Sequence, residues 1–192
     1  MTSPPPPRPR FCRDPIVWID LEMTGLDLGK DQIIEIAVLI TDGDLNIVAE
    51  GPEIIIHASK LLLDGMDDWC KQHHGASGLI DASLAATATA ASAESAVLAF
   101  LQKHIERPRT APLGGNSVHV DRMFLHKEMP RLVDFLHYRI IDVSTVKECV
   151  RRWLPHVADG APSKALSHRA MDDIRESIAE LHYYRKAAFV QP

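Results

Sequence analysis

Two acidic residues close an apolar segment near the start of the chain. The segment IVWIDLE covers residues 16–22, and Asp20 and Glu22 are two positions apart. Because side chains in a β-strand alternate between its two faces, both acids project from the same face. Ionised carboxylates at the end of a buried strand are costly unless they are paired with a cation. A salt bridge to Lys or Arg would provide one, and a bound metal ion is the alternative.

Further acids along the chain favour the metal ion. Asp121 lies in GGNSVHVDRMF, just after a candidate strand, and Asp172 lies in SHRAMDDIRES, four residues after His168. If a helix already includes His168, this spacing places His168 and Asp172 on one face. The neighbouring Asp173 would then point about 100° away, towards solvent. Acidic oxygen ligands without a cysteine or histidine cage suit Mg²⁺ or Mn²⁺.

This combination of residues predicts phosphodiester chemistry. Two divalent cations about 4 Å apart can hold the attacking and leaving oxygens of a phosphodiester, as in nucleases and polymerases. His168 would accept a proton from the attacking water, because the unperturbed pKa of histidine lies close to working pH. Taken alone, His168 also fits a helix terminus or a surface position. A zinc site at Cys70, His73 and His74 is a weaker alternative, because no second cysteine pair accompanies it.

The elements that position these residues follow a mixed α/β pattern. Three closely spaced strands are predicted at residues 16–22, 33–40 and 47–57, and their spacing favours an antiparallel meander. Beyond residue 61 the pattern is helical, with Ser92 as a candidate N-cap. Short strands then alternate with helices, which indicates an α/β sheet of mixed direction. These later elements are strands near 111–116 and 138–143, and helices near 144–154 and 169–188.

Composition limits the domain organisation and the partners. Residues 1–13 are rich in proline and predict a flexible tail, and residues 14–192 have the length of one domain. No apolar run is long enough for a membrane span, and three widely spaced cysteines argue against a disulfide framework. A net charge of −5 excludes a broad basic surface for long nucleic acids. We expect a soluble cytoplasmic protein, and a mitochondrial location stays open.

Three segments resemble a known family in order and spacing. DLEMTGL, GNSVHVDRMFL and HRAMDDIRES are similar to the three motifs of the DEDD superfamily of 3′–5′ exonucleases, in its histidine-containing branch. MDDWCKQHHGASGL and HYRIIDVSTVKE resemble the oligoribonucleases of that superfamily, and the likeness extends from Asp14 to Phe189. The resemblance implies an RNase H-like fold in which a mixed sheet, an antiparallel meander plus parallel strands, is flanked by helices.

The resemblance also implies the roles of the acids. Asp20, Glu22 and Asp172 would hold one metal ion. Asp20 and the scissile phosphate would hold the second, with Asp121 acting through water, and His168 would be the general base. Glu35 in IIEIA is the acid most easily mistaken for a ligand, and we assign it a structural role.

The expected substrate is very short RNA, above all dinucleotides, cleaved to nucleoside 5′-monophosphates. Taken alone, Leu26 and Trp69 fit core positions. The resemblance instead places them, with His74, around a base that stacks on apolar side chains. It also implies a homodimer in which Tyr138 and its neighbours complete the partner's site.

Polar residues further along the chain suit the other end of the substrate. Ser117, Arg139, Ser144 and Thr145 offer hydroxyls and a guanidinium that fit a terminal 5′-phosphate. The alternative is that Arg139 pairs with a surface acid and that Ser144 caps the next helix. Two other functions stay open. A DNA-directed exonuclease would share the acids, but it would not require the segment HYRIIDVST that this sequence contains. A non-catalytic RNA-binding protein would require neither the acids nor His168, and all of them are present.

Overall fold

A five-stranded mixed sheet forms the centre of the protein. The computed structural model describes residues 12–162 and 169–189, so residues 1–11 of the predicted tail and His168 lie outside the described part. The strand order is β3-β2-β1-β4-β5. β1 pairs antiparallel with β2, and β2 with β3, whereas β1–β4 and β4–β5 are parallel. The predicted meander and the mixed α/β sheet are therefore confirmed. The strands are β1 (Ile16–Met23), β2 (Ile33–Thr41), β3 (Ile47–Ile55), β4 (Leu113–Gly115) and β5 (Ile140–Asp142).

Nine helices flank this sheet in the described residues. Three short ones follow β3, a longer one precedes β4, and the last returns across β1 and β2. Within the described ranges, no helix has the length and apolar character needed to cross a membrane. The helices are α1 (Lys60–Asp64), α2 (Asp68–Ala76), α3 (Leu79–Ala85), α4 (Ala90–His104), α5 (His119–Glu128), α6 (Pro130–Phe135), α7 (Val143–Trp153), α8 (Pro155–Ala158) and α9 (Ala170–Ala187).

The two faces of β1 pack against different helices. Val17, Ile19 and Leu21 are buried in a cluster with α4, α5 and α6. Trp18 faces the other way, into a cluster with α7, α8 and α9, and its Nε1 donates a hydrogen bond of 2.9 Å to the Thr41 hydroxyl. Asp20 and Glu22 follow Trp18 at intervals of two, so they face α9 rather than α4.

Two helix starts differ from the sequence prediction. Thr89, not Ser92, is the N-cap of α4: its hydroxyl accepts from the Ser92 N–H at 3.2 Å, and the Ser92 hydroxyl accepts from the Thr89 N–H at 2.9 Å. This reciprocal capping box satisfies two N–H groups at the start of the helix. Helix α9 begins at Ala170, after Arg169 in an extended conformation (φ −121°, ψ 123°).

Candidate active site

Three carboxylates meet where β1 faces the first turn of α9. Asp20, Glu22 and Asp173 each offer a carboxylate oxygen, and these atoms lie within 4.8 Å of one another. The strand contributes two of them because its side chains alternate, and the helix brings the third from near the other end of the chain. No other group of potential metal ligands of this kind occurs among the described residues, so Cys70, His73 and His74 do not form a zinc site.

Asp173 occupies the place that the sequence analysis gave to Asp172. Asp172 is exposed, whereas Asp173 is partly buried beside the acids of β1. The earlier assignment required His168 to lie within the helix, so that a spacing of four would align it with Asp172. Because Arg169 is extended and the helix begins at Ala170, the helical spacing does not apply across that boundary. The prediction that Asp172 joins the acidic group is therefore wrong.

Burial and neighbouring charges both act on Glu22 in the acidic group. Burial raises the pKa of Glu22 to about 8, and the negative charges of Asp173, Glu35 and Asp121 add to the shift, while the Arg169 guanidinium opposes it. Three converging oxygen donors that repel one another are the donor set that a hard divalent cation binds. Asp20, Glu22 and Asp173 therefore fit such a cation.

Asp121 approaches the same strand from α5. It lies in the first turn of α5, is buried, and its Oδ1 accepts a hydrogen bond of 3.1 Å from the Leu21 N–H. Burial raises the pKa of Asp121 to about 7; hydrogen bonds from backbone N–H groups oppose the shift, and the charge of Asp142 adds to it. Asp121 is not one of the three acids that lie within 4.8 Å of one another.

Glu35 is paired with an arginine at the start of α9. It lies directly opposite Glu22 in the β1–β2 register and is fully buried. The Arg169 Nη2 lies 3.3 Å from Glu35 Oε1 and 3.1 Å from Glu53 Oε1. Burial raises the pKa of Glu35, and the Arg169 charge works against this shift. The pair joins the start of α9 to β2 and β3, which agrees with the structural role assigned to Glu35.

A cavity of about 400 Å³ opens beside Glu22. Leu26 and Trp69 are exposed at its edge, by 73% and 56%, although both are large apolar side chains. His74 is buried, with Nε2 at 2.9 Å from the Met23 carbonyl oxygen and Nδ1 at 3.8 Å from Glu22 Oε2. The structure thus brings the three residues predicted around a base to one cavity. The lining residues are Leu21, Glu22, Met23, Gly25, Leu26, Asp67, Trp69, Cys70 and His74.

A second cavity, of about 450 Å³, contains three of the four residues predicted for a 5′-phosphate. Ser117 has a left-handed backbone (φ 50°), and its N–H donates to Asp142 Oδ1 and to Ser144 Oγ, both at 2.9 Å. Two strong acceptors hold a conformation that is uncommon for a residue other than glycine. The residues that line this cavity are Ser117, His119, Asp142, Ser144, Thr145, Glu148, Cys149 and Arg152.

Two details of this region, at Ser144 and Arg139, differ from the sequence analysis. Asp142, not Ser144, caps α7, since its carboxylate accepts from the Ser144 N–H at 2.9 Å. Arg139 does not line the second cavity; its guanidinium lies 5.1 Å from the centre of the Tyr138 ring. Tyr138 is 70% exposed and lies beside a different cavity, with Arg109 among its neighbours.

Comparisons with known proteins agree with the geometry. The chain is 53% identical over 178 residues to an oligoribonuclease of Mycobacterium tuberculosis, covering 93% of this chain and 83% of that protein. It is 59% identical over 174 residues to a mitochondrial oligoribonuclease of Homo sapiens, covering 91% of this chain and 73% of the relative. An exonuclease family model of the RNase T type matches residues 17–181. The chain belongs to the oligoribonuclease family of exonucleases.

Solved structures of exonuclease I share the fold of this oligoribonuclease. One, whose title concerns how processivity is achieved, superposes with a TM-score of 0.68 at 14% identity, covering 91% of this chain and 41% of that one. Another, Escherichia coli exonuclease I with a bound oligonucleotide, gives a TM-score of 0.67 at 16% identity, with 92% and 41% coverage. The chain spans about two fifths of the length of these enzymes.

Membership of the family establishes the reaction class. This oligoribonuclease is a 3′–5′ exoribonuclease, a hydrolase of phosphodiester bonds, and divalent metal ions are general to its family. Sequence reasoning missed one of the acids that the geometry brings together, Asp173. Its signal was present: Asp173 lies three residues after Ala170 and four before Ser177, both buried on α9, so the helical period places Asp173 rather than its neighbour towards the packed face.

Proposed function

We propose that this oligoribonuclease cleaves dinucleotides and other very short RNA to nucleoside 5′-monophosphates. The observation that carries the proposal is the cavity in which exposed Leu26 and Trp69 adjoin the acidic residue Glu22. A base that stacks on such side chains gains on the order of 1 to 3 kcal/mol. Stacking there would bring the phosphate attached to that nucleoside next to the acids.

The acids and His168 have different roles in the proposed reaction. In our proposal Asp20, Glu22 and Asp173 bind Mg²⁺ or Mn²⁺, and two such ions serve each site, with Asp121 acting on the second through water. When bound, the ions stabilise the attacking and leaving oxygens of the phosphodiester. His168, which lies outside the described residues, would take the proton from the attacking water, as the sequence predicts.

Recognition of the opposite end would limit substrate length. We propose that the second cavity, through Ser117, Ser144 and Thr145, holds a 5′-phosphate, with Arg139 contributing from nearby. A substrate held at both ends must be short, and the net charge of −5 is unfavourable for a long polyanion. The sequence prediction of a cytoplasmic location, with mitochondria open, can be tested by imaging a tagged chain.

Turnover of a labelled RNA dinucleotide tests the proposed activity. We expect nucleoside 5′-monophosphates as products in Mg²⁺ or Mn²⁺ and none in EDTA. Without a bound cation, the negatively charged acids repel the negatively charged phosphate. A DNA dinucleotide of the same sequence is the matched comparison. Equal rates on RNA and DNA would favour a DNA-directed exonuclease, and binding without cleavage would favour an RNA-binding protein.

We further propose a homodimer in which Tyr138 completes the partner's site. Tyr138 has an exposed aromatic ring that lines neither the cavity beside Glu22 nor the one beside Ser117. In an isologous dimer the same residue serves both sites. Tyr138→Ala and Asp20→Ala dimers should each be nearly inactive, and a mixed dimer should recover towards half the activity of the wild type, because one of its sites is intact. No recovery, with subunit exchange confirmed, would contradict the shared site.

A further inference from the structure

A line of hydrogen bonds connects the second cavity to the acid on α9. Asn116, the residue after β4, lies between them. Its Oδ1 accepts from the Ser144 hydroxyl at 3.1 Å, and its Nδ2 donates to the Ser177 hydroxyl at 2.8 Å. Ser177 is buried on α9 and donates in turn to the carbonyl oxygen of Asp173 at 2.8 Å. Three consecutive bonds therefore join a residue of the proposed 5′-phosphate pocket to the backbone of Asp173.

The direction of each bond in this line is determined. Asn116 Nδ2 also lies 3.4 Å from the Glu180 carboxylate, which can only accept when ionised, so the amide nitrogen must point towards α9. Ser144 has one hydroxyl proton, and it is used in the bond to Asn116. Ser144 Oγ therefore accepts from the Ser117 N–H at 2.9 Å and from the Ser117 hydroxyl at 3.1 Å. Both pocket hydroxyls are donors whose protons are already engaged.

We propose that Asn116 is a positioning residue that connects the 5′-phosphate pocket to Asp173, so that the occupant of the pocket affects the chemical step as well as binding. This inference rests on the proposed function. A 5′-phosphate has chiefly acceptor atoms, so it takes the proton of Ser117 or of Ser144. Donation from either hydroxyl to the phosphate alters the hydrogen bond from Ser144 to Asn116. Consecutive hydrogen bonds polarise one another, so the effect can extend along the line to Asp173. Asn116 does not need to touch the substrate to have this effect.

The test compares dinucleotides with and without a 5′-phosphate in four proteins. These are the wild type, Asn116→Ala, Ser177→Ala and the control Ser95→Ala. Ser95 lies on α4 and makes equivalent contacts away from the site: its hydroxyl donates to the Ala91 carbonyl and accepts from the Arg131 guanidinium, both at 2.9 Å. Ser177→Ala breaks the line while keeping Asn116, so it serves if Asn116→Ala does not fold.

The expected result separates kcat from KM. In the wild type and in Ser95→Ala, the 5′-phosphate should raise kcat and lower KM. In Asn116→Ala and Ser177→Ala, the kcat of the phosphorylated dinucleotide should fall by about 2- to 10-fold, towards that of the unphosphorylated one, because one hydrogen bond is lost. The effect of the phosphate on KM should persist, because its contacts in the pocket remain.

A second measurement requires no substrate. Titration calorimetry with Mn²⁺ should show about 2- to 10-fold weaker binding in Asn116→Ala and Ser177→Ala and no change in Ser95→Ala, because Asp173 is less firmly placed. Either of two results overturns the inference. One is an unchanged Mn²⁺ affinity in both variants, and the other is a ratio of kcat with and without the 5′-phosphate that equals the wild-type ratio. A wild-type enzyme that cleaves neither dinucleotide would instead overturn the proposed function, and the Mn²⁺ result would still decide the role of Asn116.

Discussion

Glu22→Gln should stabilise the metal-free enzyme, and the gain should increase with pH. The pKa of Glu22 in the folded state is raised to about 8, from an ordinary value of 4.5. Between these values the unfolded chain releases a proton that the folded chain retains, so stability falls as pH rises. Below about pH 4.5 both states are protonated and this cost is absent; above about pH 8 it is complete. Glutamine keeps the size of the side chain without the charge.

The magnitude follows from the size of the shift. One pH unit corresponds to about 1.4 kcal/mol, so the full shift corresponds to roughly 5 kcal/mol. Between pH 5 and pH 8.5, the difference in unfolding free energy between Glu22→Gln and the wild type should grow by roughly 4 kcal/mol, less whatever the folded structure recovers by relaxation. That is a large part of the 5 to 15 kcal/mol that typically stabilises a folded protein.

Urea unfolding in EDTA at several pH values, followed by tryptophan fluorescence, measures this difference. Comparison with the wild type is needed because Asp121, whose pKa is raised to about 7, adds a dependence of the same sign to both proteins. Replacing EDTA with Mn²⁺ is the control: bound cation should stabilise the wild type more than the variant, because the variant has lost a ligand. A difference that stays constant from pH 5 to pH 8.5 in EDTA would refute the reasoning that burial and the neighbouring carboxylates raise the pKa of Glu22.

Three further predictions concern the residues and the substrate. Asp173→Asn should abolish dinucleotide turnover and greatly weaken Mn²⁺ binding in calorimetry, whereas Asp172→Asn should keep most of both; the reverse pattern would restore the sequence-based assignment. His168→Ala should lose about 10² to 10⁴ in single-turnover rate with a smaller change in substrate affinity, and an unchanged rate would place the general base elsewhere. Dinucleotides should be cleaved faster than heptamers at equal concentration, and equal rates would indicate an exonuclease that does not select short substrates.

The strands could be predicted because their signal is local. A period of two determined that Asp20 and Glu22 share a face, and the short spacing between β1, β2 and β3 determined the antiparallel meander. The register could not be deduced in this way, and it is the register that places Glu35 opposite Glu22. Pairing with Arg169 of α9 then depends on a contact between distant parts of the chain.

The misassigned acid shows how sensitive the orientation of a helical side chain is to an assumed spacing. Each step along a helix turns a side chain by about 100°, so aligning Asp172 with His168, as if both lay in one helix, selected the wrong one of two adjacent acids. The N-cap of α4 was misplaced for a related reason, because Thr89 and Ser92 are both capping residues and only the reciprocal bonds decide between them. Asn116 was missed because its two partners, Ser144 and Ser177, come from different helices.

The wide separation of the acids along the chain has a consequence for biosynthesis. Because β1 is translated before α9, the three carboxylates can meet only after α9 has been made and has packed on β1 and β2. A nascent chain that still lacks α9 already has Leu26 and Trp69, which would bind a base, but not the complete set of metal ligands. We therefore expect this RNA-degrading enzyme to stay inactive until α9 has been made, and any product truncated before α9 should remain inactive however well the rest of it folds.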